Sequence, residues 1–419
     1  MNVALLGFGT VGQAVARLIL ASSAPLTLTH ICNRNVARKR VDWVPDSVTW
    51  TERFEDLLAP DVDLIIEVIG GLDPAGRWHR AAIAARKSVV TANKQLIAHE
   101  GGELLRLAEK QGVHFGFEAA VAGGIPVIRA IREGLAGDSL KRISGILNGT
   151  CNYMLTRMEA ERISFDEVLA EAQAKGFAEA DPTDDLDGYD ARAKLCVLAR
   201  IGLHVALRPD DVPCRSIRPL KDVDFIYARR LGYTIRQVSR VERHTPNGDG
   251  TRSVDAAVEP ALVKNGSVLA RVRGSENLVL TVGERGGETG FFGRGAGGDP
   301  TAVAVLSDVL GIARHSSPPG WFEVADDRPA SVQSRRAFPH YLRLVVKDKP
   351  GIIAALANAL ARHELNIDAV LQEGGWPKEA LPFVVTLEPA RRELVDRAID
   401  EIAPLDFHVE RPVCLPIVD

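Results

Sequence analysis

Gly7-Phe8-Gly9-Thr10-Val11-Gly12 stands directly after the β-prone run Asn2 to Leu6 and opens an amphipathic helical pattern over Val11 to Ala21. A strand, a glycine turn and a helix in that order make the fingerprint of a dinucleotide-binding unit. Glycine is needed for the tight turn, for close approach of the backbone to a pyrophosphate, and for packing the helix on the strand, while the first-turn N–H groups face the anion. Gly7, Gly9, Thr10, Val11 and Gly12 are therefore the expected cofactor contacts. Further β-prone runs at Leu26 to Cys32, Leu64 to Ile69, Ser88 to Thr91 and Val113 to Phe117 alternate with helical patterns. This rhythm predicts an α/β fold with an N-terminal Rossmann-type parallel sheet, over about residues 1–130.

At about 150 residues per domain, a chain of 419 residues suggests two or three domains. The middle, 131–292, changes character: helical patterns such as Glu167 to Lys175 and Ala191 to Val205 precede β-rich runs at Ser253 to Val258 and Leu278 to Val282. A separate α+β catalytic and oligomerisation domain is expected there. The Gly-rich loop Gly293 to Gly298 leads through Asp299 and Pro300 into a helix ending near Ala313, and 293–314 is expected to fold back onto the first domain. Residues 315–338, with Pro318, Pro319 and Pro329, read as a linker. From 339 to 419 the pattern is strand (Leu342 to Val346), helix (Ile352 to Arg362), strand (Ile367 to Leu371), strand (Phe383 to Leu387), helix (Arg391 to Ile402) and strand (Phe407 to Arg411), a βαββαβ unit.

Composition excludes several partners. With Lys+Arg 51 against Asp+Glu 55 the chain has no broad basic field, so neither nucleic acid nor an anionic membrane surface is an expected partner. No run approaches the roughly 18 uncharged apolar residues of a membrane span, and the N-terminus lacks the layout of a signal peptide. A cytoplasmic protein with small-molecule partners follows. The five cysteines are widely spaced with no C-x-x-C pair, which reads as free thiols.

Cofactor choice is argued from the end of the second strand. Where an NAD site places an acid on the ribose 2′-hydroxyl, this chain has Asn33 and Arg34, with Arg38 to Arg40 close behind. NADP(H) is the preferred cofactor and NAD(H) the alternative. Arg38 to Arg40 could equally form a solvated face. Lys94 follows Thr91-Ala92-Asn93 at the end of a β-prone run, at the sheet edge where ligands of such folds bind, and reads as a pocket residue or as a surface lysine at a helix start. From Glu179 to Asp190 six carboxylates fall within twelve residues, with Pro182 and Gly188 between them. Their spacing fits no EF-hand calcium loop. On a helix, Asp190 and Lys194 share one face a turn apart, either as a minor surface pair or as an acid held by its carboxylate in a cleft.

Taken together, Gly7 to Gly12, Thr91 to Lys94, Glu118-Ala119-Ala120-Val121-Ala122-Gly123-Gly124-Ile125-Pro126, Gly145-Ile146-Leu147-Asn148-Gly149-Thr150-Cys151-Asn152-Tyr153, the acidic stretch and Gly293 to Thr301 resemble the homoserine dehydrogenases over essentially the whole chain. The resemblance implies reversible reduction of L-aspartate 4-semialdehyde to L-homoserine, on the way to threonine and methionine. It implies that Lys194 acts as acid/base with Asp190 beside it, that Lys94 lies where cofactor and substrate meet, and that Glu179 and Asp185 hold the substrate's amino end. Asp184, paired with Asp185, can supply a carboxylate for the same ammonium group, and Asp190 is expected among the substrate contacts. Gly176, Glu179 and Gly298 are implied as further cofactor or substrate contacts, and a sodium ion around Glu118, Val121, Gly123 and Ile125. The last unit resembles an ACT domain, implying a threonine effector near Gly351 and Asn366, and the family implies a homodimer or homotetramer. A nucleotide-sensing regulator without catalysis and a 2-hydroxy-acid dehydrogenase with an ACT tail are the competing readings. Together Lys94, Glu179, Asp190 and Lys194 argue against the first, and no His/Glu/Arg set can be assembled for the second.

Overall fold

Six parallel strands form the first sheet, in the order β3-β2-β1-β4-β5-β6: β1 (Asn2–Leu6), β2 (Thr27–Cys32), β3 (Thr49–Thr51), β4 (Leu64–Glu67), β5 (Ser88–Thr91) and β6 (Phe115–Gly116). This is the strand order of a doubly wound dinucleotide-binding domain, whose ligands sit outside the carboxyl ends of β1 and β4 where the order reverses. The computed structural model describes residues 1–245, 252–315 and 328–418. Helix Thr10–Ala21 buries Ala14, Val15 and Ile19 against one face. Helix Gly298–Arg314 packs beside it, burying Ala302, Val305 and Val309 in the same core, so a late segment of chain closes the first domain. Among the described residues no helix is long and apolar enough to cross a membrane.

The second sheet is built on the long antiparallel strands β7 (Leu140–Ile146), β8 (Tyr233–Arg243), β9 (Ser253–Lys264), β10 (Glu276–Gly283) and β11 (Glu288–Arg294). Helices Gly149–Glu161, Phe165–Ala174 and Tyr189–Gly202 lie in this part of the chain. The last of these buries Ala191, Leu195, Val197 and Leu198, with Lys194 also buried, and packs against the helix Lys94–Gln111 of the first domain.

The C-terminal unit corrects two expectations. Its strands β13 (Ala337–Val346), β14 (Ile367–Gln372) and β15 (Leu381–Arg391) and its helices Ile352–Arg362 and Arg392–Ile402 stand where the pattern predicts, but the final strand is β16 (Val413–Val418), not Phe407 to Arg411. Pro416 lies inside β16, and the strand is defined by pairing, antiparallel to β13 and parallel to β9 through Ile417 with Leu262 and Val418 with Val263. Hence the second and third units share one ten-stranded sheet. The linker reading of 315–338 fails at its described end: β12 (Ser331–Val332) pairs β9, and Ala337 and Phe338 already belong to β13. Residues 316–327 of that stretch lie outside the described residues. At the seam Arg343, on β13, is buried and forms ion pairs with Asp224 at 3.0 Å and Glu410 at 2.8 Å.

Candidate active site

The glycine turn shows why each glycine is there. Gly7 takes φ +107°, and a Cβ on it would lie 2.9 Å from Ile69 Cγ2. A Cβ on Gly12 would lie 2.2 Å from the Gly7 carbonyl oxygen, so only glycine lets the helix start this close to β1. Gly9 is different: a Cβ there would meet nothing within 4 Å. It caps the helix without a side-chain hydrogen bond and borders open space, as a residue facing a pyrophosphate must. Gly298 comes from the far end of the chain to the same turn, where its Cβ would stand 3.1 Å from Thr10 Cγ2. Beside it, Asn33 Oδ1 accepts from the Phe8 N–H at 3.1 Å, and Arg34 is exposed at the end of β2 with Arg38 and Lys39 on the next short helix. The residues present therefore fit a dinucleotide.

A second group of the expected residues forms a buried cluster centred on Asp190. Helix Tyr189–Gly202 presents Asp190 and Lys194 one turn apart, 6% and 8% exposed, so the pair is no surface salt bridge. Lys194 Nζ donates to Asp190 Oδ2 at 2.8 Å and to the Leu147 carbonyl oxygen at 2.8 Å. An ammonium has three N–H groups, and the third has no partner among the described residues. Lys94, first residue of its helix, lies 3.0 Å from Asp190 Oδ1 and is partly exposed. Asp190 raises the Lys94 pKa above its ordinary value although burial opposes it. Burial likewise works to raise the Asp190 carboxyl, but Lys194 and Lys94 outweigh it and hold that acid well below the usual carboxylate range.

Asn148 completes the cluster, although the motif that contains it assigns it no role. Its Oδ1 caps the helix Gly149–Glu161 by accepting from Cys151 N–H at 2.8 Å. Its amide then donates to Asp185 at 2.6 Å and to Asp190 at 2.9 Å, setting the two carboxylates side by side. Burial and the neighbouring Asp190 push the Asp185 carboxyl up. Asn277 donates to the same Leu147 carbonyl at 2.9 Å, and Gly295 of the Gly-rich loop lies against it. An asparagine before a Gly-Thr helix start is the cap signal by which Asn148 could be found.

The other expected residues are less tightly joined. Asp184 and Glu179 are exposed, and among the described contacts neither side chain bonds to Lys94 or Lys194. Gly176, φ +74°, turns the chain after the helix Phe165–Ala174, and the adjoining Phe177 carbonyl accepts from Thr150 at 2.7 Å. Glu118 is buried and its two oxygens accept from Ile128 N–H at 2.7 Å and Arg129 N–H at 2.9 Å. Burial and the nearby Asp308 push its carboxyl up to about 7. Val121, Gly123 and Ile125 follow in a loop where Ala122 and Gly123 take left-handed backbone, φ +56° and +52°. A buried carboxylate beside such a loop fits a hard monovalent cation in oxygen chemistry. Among the described residues no group of three or more His, Cys, Asp or Glu forms a metal site.

Comparison with known proteins identifies the family. Residues 7–118 match the NAD binding domain of homoserine dehydrogenase, 126–310 the homoserine dehydrogenase family and 340–404 the ACT domain. The homoserine dehydrogenase of Mycobacterium leprae is 40% identical over 97% of this chain and 95% of its own length. That of Bacillus subtilis is 36% identical over 89% and 87%. Among solved structures, a homoserine dehydrogenase from Thiobacillus denitrificans covers 100% of this chain and 98% of its own, with TM-score 0.89 and 33% identity. A hyperthermophilic archaeal homoserine dehydrogenase in complex with NADPH covers 76% of this chain and 99% of its own, with TM-score 0.64 and 26% identity. The chain belongs to the homoserine dehydrogenases, NAD(P)-dependent oxidoreductases acting on a CH–OH group.

Proposed function

We propose that Lys194 is the acid/base of the reversible reduction of L-aspartate 4-semialdehyde to L-homoserine, with Asp190 and Lys94 setting its field. The observation that carries this reading is the Lys194 ammonium, buried, fixed by two acceptors and left with one N–H to give. A reduced nicotinamide supplies the hydride when bound. Lys194 meets the aldehyde oxygen as negative charge grows there and passes it a proton, and the reverse reaction returns that proton to Nζ. Lys94 adds a second positive charge at the open side of the cluster. Asp190, ionised throughout, keeps both lysines oriented. Asp185 and the more exposed Glu179 and Asp184 receive the substrate's ammonium group. Burial and Asp190 raise the Asp185 carboxyl in spite of Lys194 and Lys94, so a further cation beside it is favourable, which supports this role. The test is NADPH consumption with aspartate semialdehyde, measured beside NADPH binding, in wild type and Lys194→Ala. Binding without consumption is expected of Lys194→Ala, and consumption undiminished in that variant would contradict the reading.

For the finer points, NADP(H) is favoured over NAD(H) because Arg34 rather than an acid follows β2, and the archaeal relative was solved with NADPH. Gly176 and Gly298 line the two sides of the cofactor cleft in this reading. Glu118 with Val121, Gly123 and Ile125 would hold a sodium ion. Residues 1–130 with 293–314, 131–292 and 339–419 act as cofactor, catalytic and regulatory domains. Threonine is the proposed effector at Gly351 and Asn366. A homodimer or homotetramer is supported by the open edges β11 and β14, where Phe292 is 57% and Val370 46% exposed. Five unpaired cysteines suit the cytoplasm.

A further inference from the structure

Glu67 ends β4 at the point where the strand order reverses, 1% exposed, and no step proposed above uses it. Its Oε1 accepts from the Ile69 N–H at 2.7 Å and the Gly70 N–H at 3.0 Å, and its Oε2 accepts from the Thr91 hydroxyl at 2.6 Å. Thr91 Oγ1 in turn accepts from the Asn93 N–H at 2.9 Å. Asn93 then does two things: its amide donates to the Gly71 carbonyl at 2.7 Å, and its Oδ1 caps the helix by accepting from Leu96 N–H at 3.1 Å. The first residue of that helix is Lys94. The hydrogen bonds thus run in a closed ring from Glu67 through Thr91 and Asn93 to Gly71 and back along the backbone. One side of the ring is the Ile69 wall against Gly7, and the other is the start of the Lys94 helix.

The partners in this ring are neutral dipoles. His79 Nε2 lies 3.7 Å from Glu67 Oε2, but its Nδ1 is engaged by the Ala75 carbonyl at 2.8 Å, and burial holds its pKa below the ordinary value. Desolvating a carboxylate on these terms is unfavourable where an apolar side chain of similar size would pack without cost. Three donors converge on two oxygens, an arrangement only a carboxylate can accept in full. We propose that Glu67 is a positioning residue for this reaction, registering the Ile69–Gly71 wall of the cofactor cleft against the helix that presents Lys94. This rests on the reading of Lys94 given under the proposed function.

Glu67→Gln replaces one acceptor by a donor, which must face either the two amides or the Thr91 hydroxyl. The expected kcat falls about tenfold or more in the otherwise wild-type enzyme and less than about twofold in a Lys94→Ala background, because the ring acts through that lysine. Thermal melting confirms that each variant is folded at the assay temperature. Thr91→Val opens the ring without removing a charge, and the same cycle run with it decides the matter if Glu67→Gln does not fold. Equal losses in both backgrounds, or wild-type kcat in a folded Glu67→Gln or Thr91→Val, would overturn the inference. A Lys94→Ala enzyme running at the wild-type rate would instead overturn the reading of Lys94 on which it rests.

Discussion

Lys94 Nζ lies 3.0 Å from Asp190 Oδ1, so the helix that follows β5 and the helix that carries Lys194 meet at one carboxylate. In the proposed reading that contact joins the cofactor side of the site to the substrate side. Its pH behaviour follows from the signs. Asp190 is lowered, so its contribution to stability is present above the ordinary carboxylate range and is lost only as pH falls through its depressed value. Lys94 is raised, so its contribution is complete below the ordinary lysine range and is lost as pH rises through the raised value. In Asp190→Asn the main cause of the Lys94 rise is gone while the burial that opposes it stays, so the Lys94 pKa should fall. The alkaline limb of the kcat profile should move to lower pH, and kcat itself should fall by about tenfold or more. An unmoved limb would contradict the coupling.

Gly9 and Gly12 should separate binding from folding. The Cβ of Gly12→Ala falls 2.2 Å from the Gly7 carbonyl, and the variant should lose about 1–3 kcal/mol of stability, seen as an earlier thermal transition. Gly9→Ala has room in the free protein and should melt like wild type, while the NADPH KM rises about tenfold, equivalent to about 1.4 kcal/mol.

Arg34 is exposed, so replacing it tests cofactor choice with little risk to the fold. Arg34→Ala should lower kcat/KM for NADPH about tenfold or more and leave that for NADH nearly unchanged, because only the former has a 2′-phosphate to lose. Equal effects on both cofactors would contradict the assignment.

Excising the C-terminal unit should do more than remove the proposed regulation. β16 pairs with β9 at Leu262 and Val263, both buried, and burying such side chains contributes about 1.5–3 kcal/mol each. Truncation before Ala337 should therefore lower the melting temperature and expose apolar surface to dye. With threonine as the proposed effector, substitutions at Gly351 or Asn366, both exposed, should alter the response to threonine, and that at Asn366 should leave the melting temperature unchanged. A truncated enzyme of wild-type stability would contradict the continuous sheet.

Features whose residues lie close together in the chain are the ones its sequence makes legible. The turn from Gly7 to Gly12 and the helical pair Asp190 and Lys194 carry their geometry in their spacing. β3 has only three residues and no pattern of its own, and β16 hides behind Pro416 because its place depends on β9, far earlier in the chain. Spacing leaves open, for the same reason, whether Asp190 and Lys194 lie on a surface or in a cleft. The contacts that decide it come from Leu147, Asn148 and Lys94, which lie far from that pair in the chain. The cap signal marks Asn148 as a helix start but not its bonds to Asp185 and Asp190, and Glu67 at the end of β4 has no periodicity to mark it.

The central claim is tested most directly by single-turnover NADPH oxidation in Lys194→Met with saturating aspartate semialdehyde. The account predicts a chemical step slower by about 10²- to 10⁴-fold with the NADPH dissociation constant unchanged. Oxidation at the wild-type rate in that variant would contradict it.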